Sequence, residues 1–139
     1  YRSIMCATCH RFNNDGGSIG PDLTGVGNRY TMRDLMENIV DPSKVISDQY
    51  DSHEIIKKDG STVLGRIVVE ENGKVFVMTN PFAPSEQLAI NEADIKSKQT
   101  RKISMMPPSL INTLNQDELL NLLAYLVSGG NAQDKVFKK

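Results

Sequence analysis

The sequence predicts an α+β protein in which two helical stretches flank a strand-rich one. Residues 1–49 and 104–139 combine loops with apolar residues at helical spacing, whereas residues 50–103 are rich in β-branched side chains and tight-turn signals. The length of 139 residues is usual for one domain, and a hydrophobic share of 39% can fill a modest core. We therefore predict three parts, with the strand-rich stretch inserted between the two helical ones.

Both cysteines of the chain lie in one string, Cys6-Ala7-Thr8-Cys9-His10. This C-x-x-C-H spacing is typical of c-type haem attachment. Two thiols three positions apart on one helical turn can each add to one vinyl group of a haem. The adjoining His10 then offers an imidazole nitrogen to the iron. The motif predicts one covalent haem c, with Cys6 and Cys9 forming thioethers and His10 as the proximal ligand.

Other interpretations explain this cysteine pair less well. A structural zinc site needs four nitrogen or sulfur ligands, and outside the string the chain has no other cysteine and only His53. A thioredoxin-like redox pair usually follows a strand, and no strand is evident before Cys6. A disulfide between the two cysteines would close a very short loop and stabilise little.

Two further features organise the first stretch. The turn-forming residues 13–17 predict the end of the haem-bearing helix. Thr31 and Asp34 resemble a capping box, and Asp41-Pro42 is a stop signal. Between them, helical spacing predicts a helix of about nine residues. Its apolar positions are Met32, Leu35, Met36, Ile39 and Val40.

The middle stretch has the pattern of short strands. The dipeptides Asp59-Gly60 and Asn72-Gly73 predict tight hairpin turns. The predicted strands are residues 50–57, 62–69, 74–79, 87–90 and 95–103. Five short antiparallel strands indicate a small barrel-like sheet, of the SH3-like or Sm-like kind.

The third stretch contains a clear helix signal. Asn115 and Glu118 form a second capping-box pattern, and Gly129-Gly130 predicts the C-terminal stop. The helix between them has a broad apolar surface made by Leu119, Leu120, Leu122, Leu123, Leu126 and Val127.

Composition excludes some classes of partner and bears on location. The formal net charge of −1 gives no electrostatic case for nucleic acid or an anionic membrane. No run of 18 apolar residues is present, so no transmembrane segment is predicted.

Haem attachment to C-x-x-C-H implies a periplasmic or otherwise exported protein, yet no signal peptide is recognisable. We therefore expect Tyr1 to be the start of a processed or excised fragment.

These motifs follow one order along the chain. They are Cys6-Ala7-Thr8-Cys9-His10, Gly20-Pro21-Asp22-Leu23-Thr24-Gly25 with Arg29-Tyr30, Met106-Pro107, and Leu123-Ala124-Tyr125-Leu126. Together they resemble the class I c-type cytochromes. More narrowly, Asp41-Pro42-Ser43-Lys44-Val45-Ile46 and the strand-rich insert resemble the C-terminal haem-binding domain of large planctomycete-type dehydrogenases.

The resemblance implies a class I cytochrome c helical fold around one haem, with a small antiparallel, barrel-like β insertion before the axial-methionine loop. Residues 1–49 would be the N-terminal cytochrome part, 50–103 the inserted β module, and 104–139 the methionine loop and C-terminal helix. The insert of about 54 residues departs from ordinary class I cytochromes. The resemblance also implies that the carbonyl of Pro21 accepts a hydrogen bond from the second imidazole nitrogen, and that Arg29 faces a haem propionate.

The second axial ligand must come from six methionines and one remaining histidine. Packing explains the methionines on the central helix and in a strand. Met106 precedes two prolines that hold its loop extended, and the Met-Pro signature favours it over Met105. His53, on a predicted strand, would instead give a bis-histidine haem. The predicted metal ligands are His10 and Met106, with Met105 and His53 as alternatives.

A six-coordinate haem without an open position moves one electron and performs no substrate chemistry. The predicted function is therefore electron transfer without catalytic residues, with electrons accepted from a fused or partner dehydrogenase. The alternative is a haem-based sensor or peroxidase-like enzyme with a labile sixth ligand, although no distal acid–base set is recognisable. A third interpretation makes the strand-rich stretch a binding module and the haem merely structural.

Four cations lie within residues 96–102, just before the methionine loop. Lysines can guard an exposed edge strand against aggregation. Alternatively, this charge could lie beside the haem edge and orient an acidic redox partner, an effect that weakens with salt.

Overall fold

The computed structural model of this chain describes residues 1–138 and divides into two units. The first unit combines both ends of the chain, Tyr1–Pro42 with Pro107–Lys139. The second unit is the continuous stretch Ser43–Met106. The predicted part boundaries, after residues 49 and 103, both fall within this second unit.

Three short α-helices belong to the first unit: α1 (Cys6–Cys9), α2 (Met32–Val40) and α3 (Gln116–Val127). Both predicted capping boxes are confirmed, since in each the N-cap side chain and the N3 carboxylate exchange hydrogen bonds with backbone N–H groups. Helix α1 is a single turn, because the next residue, His10, has an extended backbone with φ −107° and ψ 135°.

A small hairpin follows α1. Strands β1 (Arg11–Phe12) and β2 (Asp15–Gly16) pair antiparallel. Asn13 and Asn14 join them with φ values of 51° and 66°, the left-handed backbone of a type I′ turn. The sequence predicted the turn but not these two strands.

The core of the first unit is a cluster of buried side chains from several elements. Its members are Ile4, Phe12, Val26, Leu35, Leu122, Leu123 and Leu126. Helix α3 contacts α2 and the 3₁₀ turn Val26–Asn28. Met32 and Met36 pack against the same cluster, which confirms that they contribute to packing.

The second unit is a five-stranded antiparallel sheet with the order β6-β5-β4-β3-β7. Its strands are β3 (Ser52–Lys57), β4 (Thr62–Glu71), β5 (Lys74–Met78), β6 (Gln87–Asn91) and β7 (Ile95–Arg101). The five predicted strand positions are thus confirmed, with differences of a few residues at the ends. The side chains buried in its core are Ile55, Val75, Val77 and Ile90.

Strand β4 connects two halves of this sheet. Its first half pairs with β3 and its second half with β5, and a bulge interrupts the second ladder between Ile67 and Val69. Strands β6 and β7 are the sheet edges, and no ladder joins them within residues 1–138. The sheet is therefore open, and the Nζ atom of Lys98 on β7 reaches both carboxylate oxygens of Glu70 on β4 at 2.8 Å.

The predicted fold class is wrong. The structure is mostly β-sheet, with three short helices and 27% helical residues, and it is not the helical class I cytochrome c fold. The physical reason lies in the length of the elements. Helix α1 stops after one turn and gives way to a hairpin, and α2 and α3 have only 9 and 12 residues. The five strands of the second unit, β3 to β7, make up more of the regular structure than the three α-helices do.

Candidate haem-attachment site

The two cysteines occupy the first and last positions of the single turn α1. Both side chains are half-buried, and they are not joined as a disulfide. Burial raises the pKa of the Cys6 thiol, and burial also raises the pKa of Cys9. Both groups are therefore neutral thiols at pH 7. One helical turn presents two protonated thiols with i, i+3 spacing.

The imidazole of His10 is oriented by one hydrogen bond. Its Nδ1 atom lies 2.7 Å from the carbonyl oxygen of Pro21. Because a carbonyl only accepts, Nδ1 carries the proton and the lone pair is on Nε2. Burial lowers the pKa of His10, and the bond to Pro21 acts in the opposite direction. The ring is therefore neutral at pH 7, the form in which imidazole binds metals.

The backbone of His10 is held as firmly as its ring. Its N–H donates to the carbonyl of Cys6 at 2.9 Å, and its own carbonyl accepts a 2.8 Å hydrogen bond from the Tyr1 hydroxyl. Burial, followed by the charges of Cys6 and other neighbours, raises the pKa of Tyr1 to about 12, so this hydroxyl stays a donor at neutral pH. His10 is thus fixed at its N–H, its carbonyl and Nδ1.

Gly20 contacts the face of the imidazole. A Cβ atom at this position would lie 2.7 Å from Cε1 of His10 and 2.9 Å from Nδ1, closer than real Cβ contacts come. Its own N–H donates to the carbonyl of Cys9 at 2.8 Å. Gly20 has no side chain, so the loop can come close enough both to bind the Cys9 carbonyl and to pack against the His10 imidazole.

The loop after β2 caps the end of α1. The N–H of Gly17 donates to the carbonyl of Ala7 at 2.9 Å, which satisfies a carbonyl that a one-turn helix leaves without an internal partner. A Cβ at Gly16 or Gly17 would collide with the carbonyl oxygens of His10 and Thr8. The turn of helix and the glycine loop therefore support each other.

Pro21 and Arg29 lie in the segment that follows. The bond between Pro21 and His10 is present, while a role of either residue at a haem stays a prediction. The Arg29 side chain is exposed, and its guanidinium donates to the carbonyl of Asp22 at 3.2 Å. Arg29 therefore stabilises the loop that carries Pro21.

The candidates for the second axial ligand all belong to the second unit. Met105 and Met106 are both half-buried, so exposure does not separate them, and the Met106 N–H donates to Ser104 Oγ at 3.1 Å. His53 lies on β3 opposite Gly65, and its Nδ1 atom is buried without a hydrogen-bond partner among the described residues. Ligation by Met106 stays a prediction.

The basic segment 96–102 lies mainly in β7, an edge strand. Three of its four cations pair with acidic residues of the same unit: Lys98 with Glu70, Arg101 with Glu54, and Lys102 with Asp51. These pairs neutralise much of the positive charge. The arrangement favours protection of a sheet edge over a docking surface for an acidic partner.

The sequence did not predict the contacts that Gly20 and Tyr1 make with His10. The Gly-Pro pattern drew attention to Gly20, but its contact with the imidazole depends on how the loop returns to α1. No motif around Tyr1 predicted its role, because the residue that it binds, His10, lies nine positions away and does not share a helix or strand with it.

Comparison with known proteins assigns no family: no family model and no curated protein matches this chain. Across residues 1–138, no three or more His, Cys, Asp or Glu side chains are grouped so that they could hold a metal ion. Among the described helices, none has both the length and the apolar composition needed to cross a membrane. Interpretation of the site therefore depends on its own chemistry.

Proposed function

We propose that this chain is a monohaem c-type electron-transfer domain. Cys6 and Cys9 would hold the haem through thioethers, and the His10 imidazole would bind its iron. One observation carries the proposal: a neutral imidazole adjoins a turn with two thiols, and its Nδ1–H is bound to the carbonyl of Pro21 at 2.7 Å. This leaves the Nε2 lone pair for a metal.

The residues present fit covalent haem attachment. Each thiol would add across one vinyl group, forming a sulfur–carbon bond and giving its proton to the neighbouring vinyl carbon. The i, i+3 spacing of Cys6 and Cys9 keeps both sulfurs on one side of α1. The glycines at residues 16, 17 and 20 allow the loop to lie against the helix without side chains of its own in the way.

The surroundings of His10 suit an axial ligand. The bond from Nδ1–H to a carbonyl raises the electron-donating power of Nε2 and prevents rotation of the ring. Bound haem supplies a reversible one-electron iron couple. On the Met-Pro signature of the sequence we propose Met106 as the second ligand. Its thioether, paired with the His10 imidazole, would raise the reduction potential relative to more basic ligand pairs.

We assign the chain to the electron carriers and not to the enzymes. A fused or partner dehydrogenase is the proposed electron donor, and an exported location such as the periplasm is proposed from the chemistry of haem attachment. The alternative is a haem-based sensor or peroxidase-like enzyme, which requires a labile sixth ligand.

Haem attachment is tested by expressing the chain with a c-type haem-attachment system. The intact mass should rise by one haem, and the alkaline pyridine spectrum should be that of a haem with two thioethers. Cys6→Ser and Cys9→Ser should each shift the visible band to longer wavelength, because each removes one thioether. A wild-type chain without covalent haem, in cells that load a control cytochrome, would contradict the proposal.

Carbon monoxide separates the two functional classes. The reduced protein should resist carbon monoxide if both axial positions are filled by the protein. Ready binding at neutral pH would favour the sensor or peroxidase-like alternative, although the covalent attachment would still stand.

A further inference from the structure

We propose that Tyr1 is a positioning residue for His10, acting through its hydroxyl on the backbone carbonyl of the proximal ligand. This inference rests on the proposed function. The Tyr1 hydroxyl donates a 2.8 Å hydrogen bond to the His10 carbonyl in a partly buried setting. The hydroxyl binds the backbone of His10 and not its imidazole, so Tyr1 acts on the imidazole only indirectly.

The carbonyl of His10 needs such a donor because of where the residue lies. His10 follows the last residue of α1 and has an extended backbone, so its carbonyl does not continue the helical pattern. The hydroxyl fixes the peptide plane between His10 and Arg11. The N–H of His10 is already bound to Cys6, so both of its backbone polar groups have partners. The orientation of its side chain is then set by Pro21 and Gly20.

Tyr1 is suited to this role because its ring is itself held in place. Its centroid lies 5.6 Å from that of Phe12 and 5.8 Å from that of Tyr125, and the last two are 5.0 Å apart. Phe12 belongs to β1 and Tyr125 to α3. The three rings form tilted contacts of the kind that stabilise aromatic clusters. The hydroxyl therefore has a fixed position relative to the carbonyl that it binds.

The cluster also supplies a matched control. Tyr125 carries the same hydroxyl on the same aromatic cluster, but the bond to the His10 carbonyl comes from Tyr1. Tyr1→Phe and Tyr125→Phe each remove one oxygen atom and keep the ring. A difference between them therefore reports on the bond to His10 and not on the loss of a polar atom from the core.

The test measures how fast the Nδ1–H proton of His10 exchanges with water, by nuclear magnetic resonance on the full chain as isolated. Exchange requires the bond to Pro21 to open, so it reports how firmly the ring is held. Tyr1→Phe should accelerate exchange roughly twofold to thirteenfold, the factor expected for the loss of one hydrogen bond. Tyr125→Phe should leave the rate near that of the wild type. Backbone amide exchange within α2, which carries neither substitution, should change equally in both variants, which separates local opening from global unfolding.

The reduction potential gives a second measurement that a purely structural role would not move. In haem-loaded protein, Tyr1→Phe should shift the midpoint potential and Tyr125→Phe should not. Equal exchange rates and potentials in the two variants would overturn the proposal. Should Tyr1→Phe fail to fold, the wild type still decides: replacement of the Tyr1 hydroxyl proton by deuterium should shift the carbonyl-carbon resonance of His10, and an absent shift overturns the inference.

The two proposals fail in different ways. A wild-type chain that never acquires covalent haem refutes the proposed function by mass and spectrum. The exchange comparison at His10 needs no haem, so it still shows whether Tyr1 holds the backbone that carries the imidazole.

Discussion

Replacing Gly20 with alanine is the sharpest perturbation of the His10 site. The added Cβ would lie 2.7 Å from Cε1 and 2.9 Å from Nδ1 of the imidazole. The backbone at Gly20 lies outside the left-handed region, so alanine is compatible with the chain conformation there. The three heavy atoms nearest the added Cβ all belong to the ring, and a shift of the ring away from Gly20 strains its 2.7 Å bond to Pro21.

The size of the effect follows from three contributions. Replacing a glycine with alanine at a compatible backbone position stabilises by about 0.4–1 kcal/mol, because the unfolded chain loses freedom. Overpacking costs about 1–3 kcal/mol. Breaking the His10–Pro21 hydrogen bond costs about 0.5–1.5 kcal/mol more. The two costs less the gain give a net decrease in the free energy of unfolding of the first unit of about 0.5–4 kcal/mol for Gly20→Ala.

Urea unfolding followed by resonances of the first unit measures this change, and haem loading measures its effect on the ligand. Gly60→Ala is the control, because Gly60 has φ 87° and a Cβ added there would meet no heavy atom within 4 Å, so only backbone strain is introduced. That variant should leave the His10 resonances and haem loading unchanged. A Gly20→Ala protein as stable as the wild type, with unaltered His10 resonances, would refute the contact between glycine and ring.

Three further predictions concern other parts of the chain. In a double-mutant cycle, Lys98→Met and Glu70→Gln should show a coupling of about 0.5–1 kcal/mol that declines with salt, since both side chains are partly exposed; additive effects would contradict it. Hydrogen bonds from the N-cap side chain and backbone of α2 lower the pKa of Asp34, so its stabilising effect is present above the ordinary aspartate pKa and is lost as pH falls through the lowered value. Asp34→Asn should therefore flatten the acid side of the thermal-stability profile, and an unchanged profile would count against the capping box. In the ferric haem protein, Met106→Ala should abolish the weak far-red sulfur-to-iron band and open the iron to carbon monoxide, whereas Met105→Ala should do neither; the reverse result would move the ligand by one residue.

Local signals predicted most of the regular structure. The capping boxes at Thr31 and Asn115 located the starts of α2 and α3, because each depends on side chains three positions apart. The dipeptides Asp59-Gly60 and Asn72-Gly73 located two hairpins in the same way. Turn and cap chemistry acts within a few residues and needs no knowledge of the fold.

The fold class could not be predicted in this way. The motif order along the chain indicated a helical cytochrome, but order says nothing about how long each helix becomes. Helix α1 ends at Cys9, where the loop containing Gly17 folds back and donates a hydrogen bond to the carbonyl of Ala7. These two residues are ten positions apart, which is well beyond one helical turn. The contact of Tyr1 with His10 is non-local for the same reason.

The two ends of the second unit are tied to each other, since the N–H of Ser104 donates to the hydroxyl of Ser43 at 3.1 Å. This closure affects the order of folding. The second unit is one continuous stretch and can fold by itself, whereas the first unit needs residues from both sides of that stretch. Once folded, the second unit replaces the 64-residue connection of residues 43–106 with an effective path of about four residues (43 and 104–106), which is about sixteen times shorter. By the statistics of loop closure, this lowers the entropic cost of joining the halves of the first unit by roughly 2.5 kcal/mol. We therefore expect the first unit to assemble faster when the inserted sheet is folded than when it is unfolded.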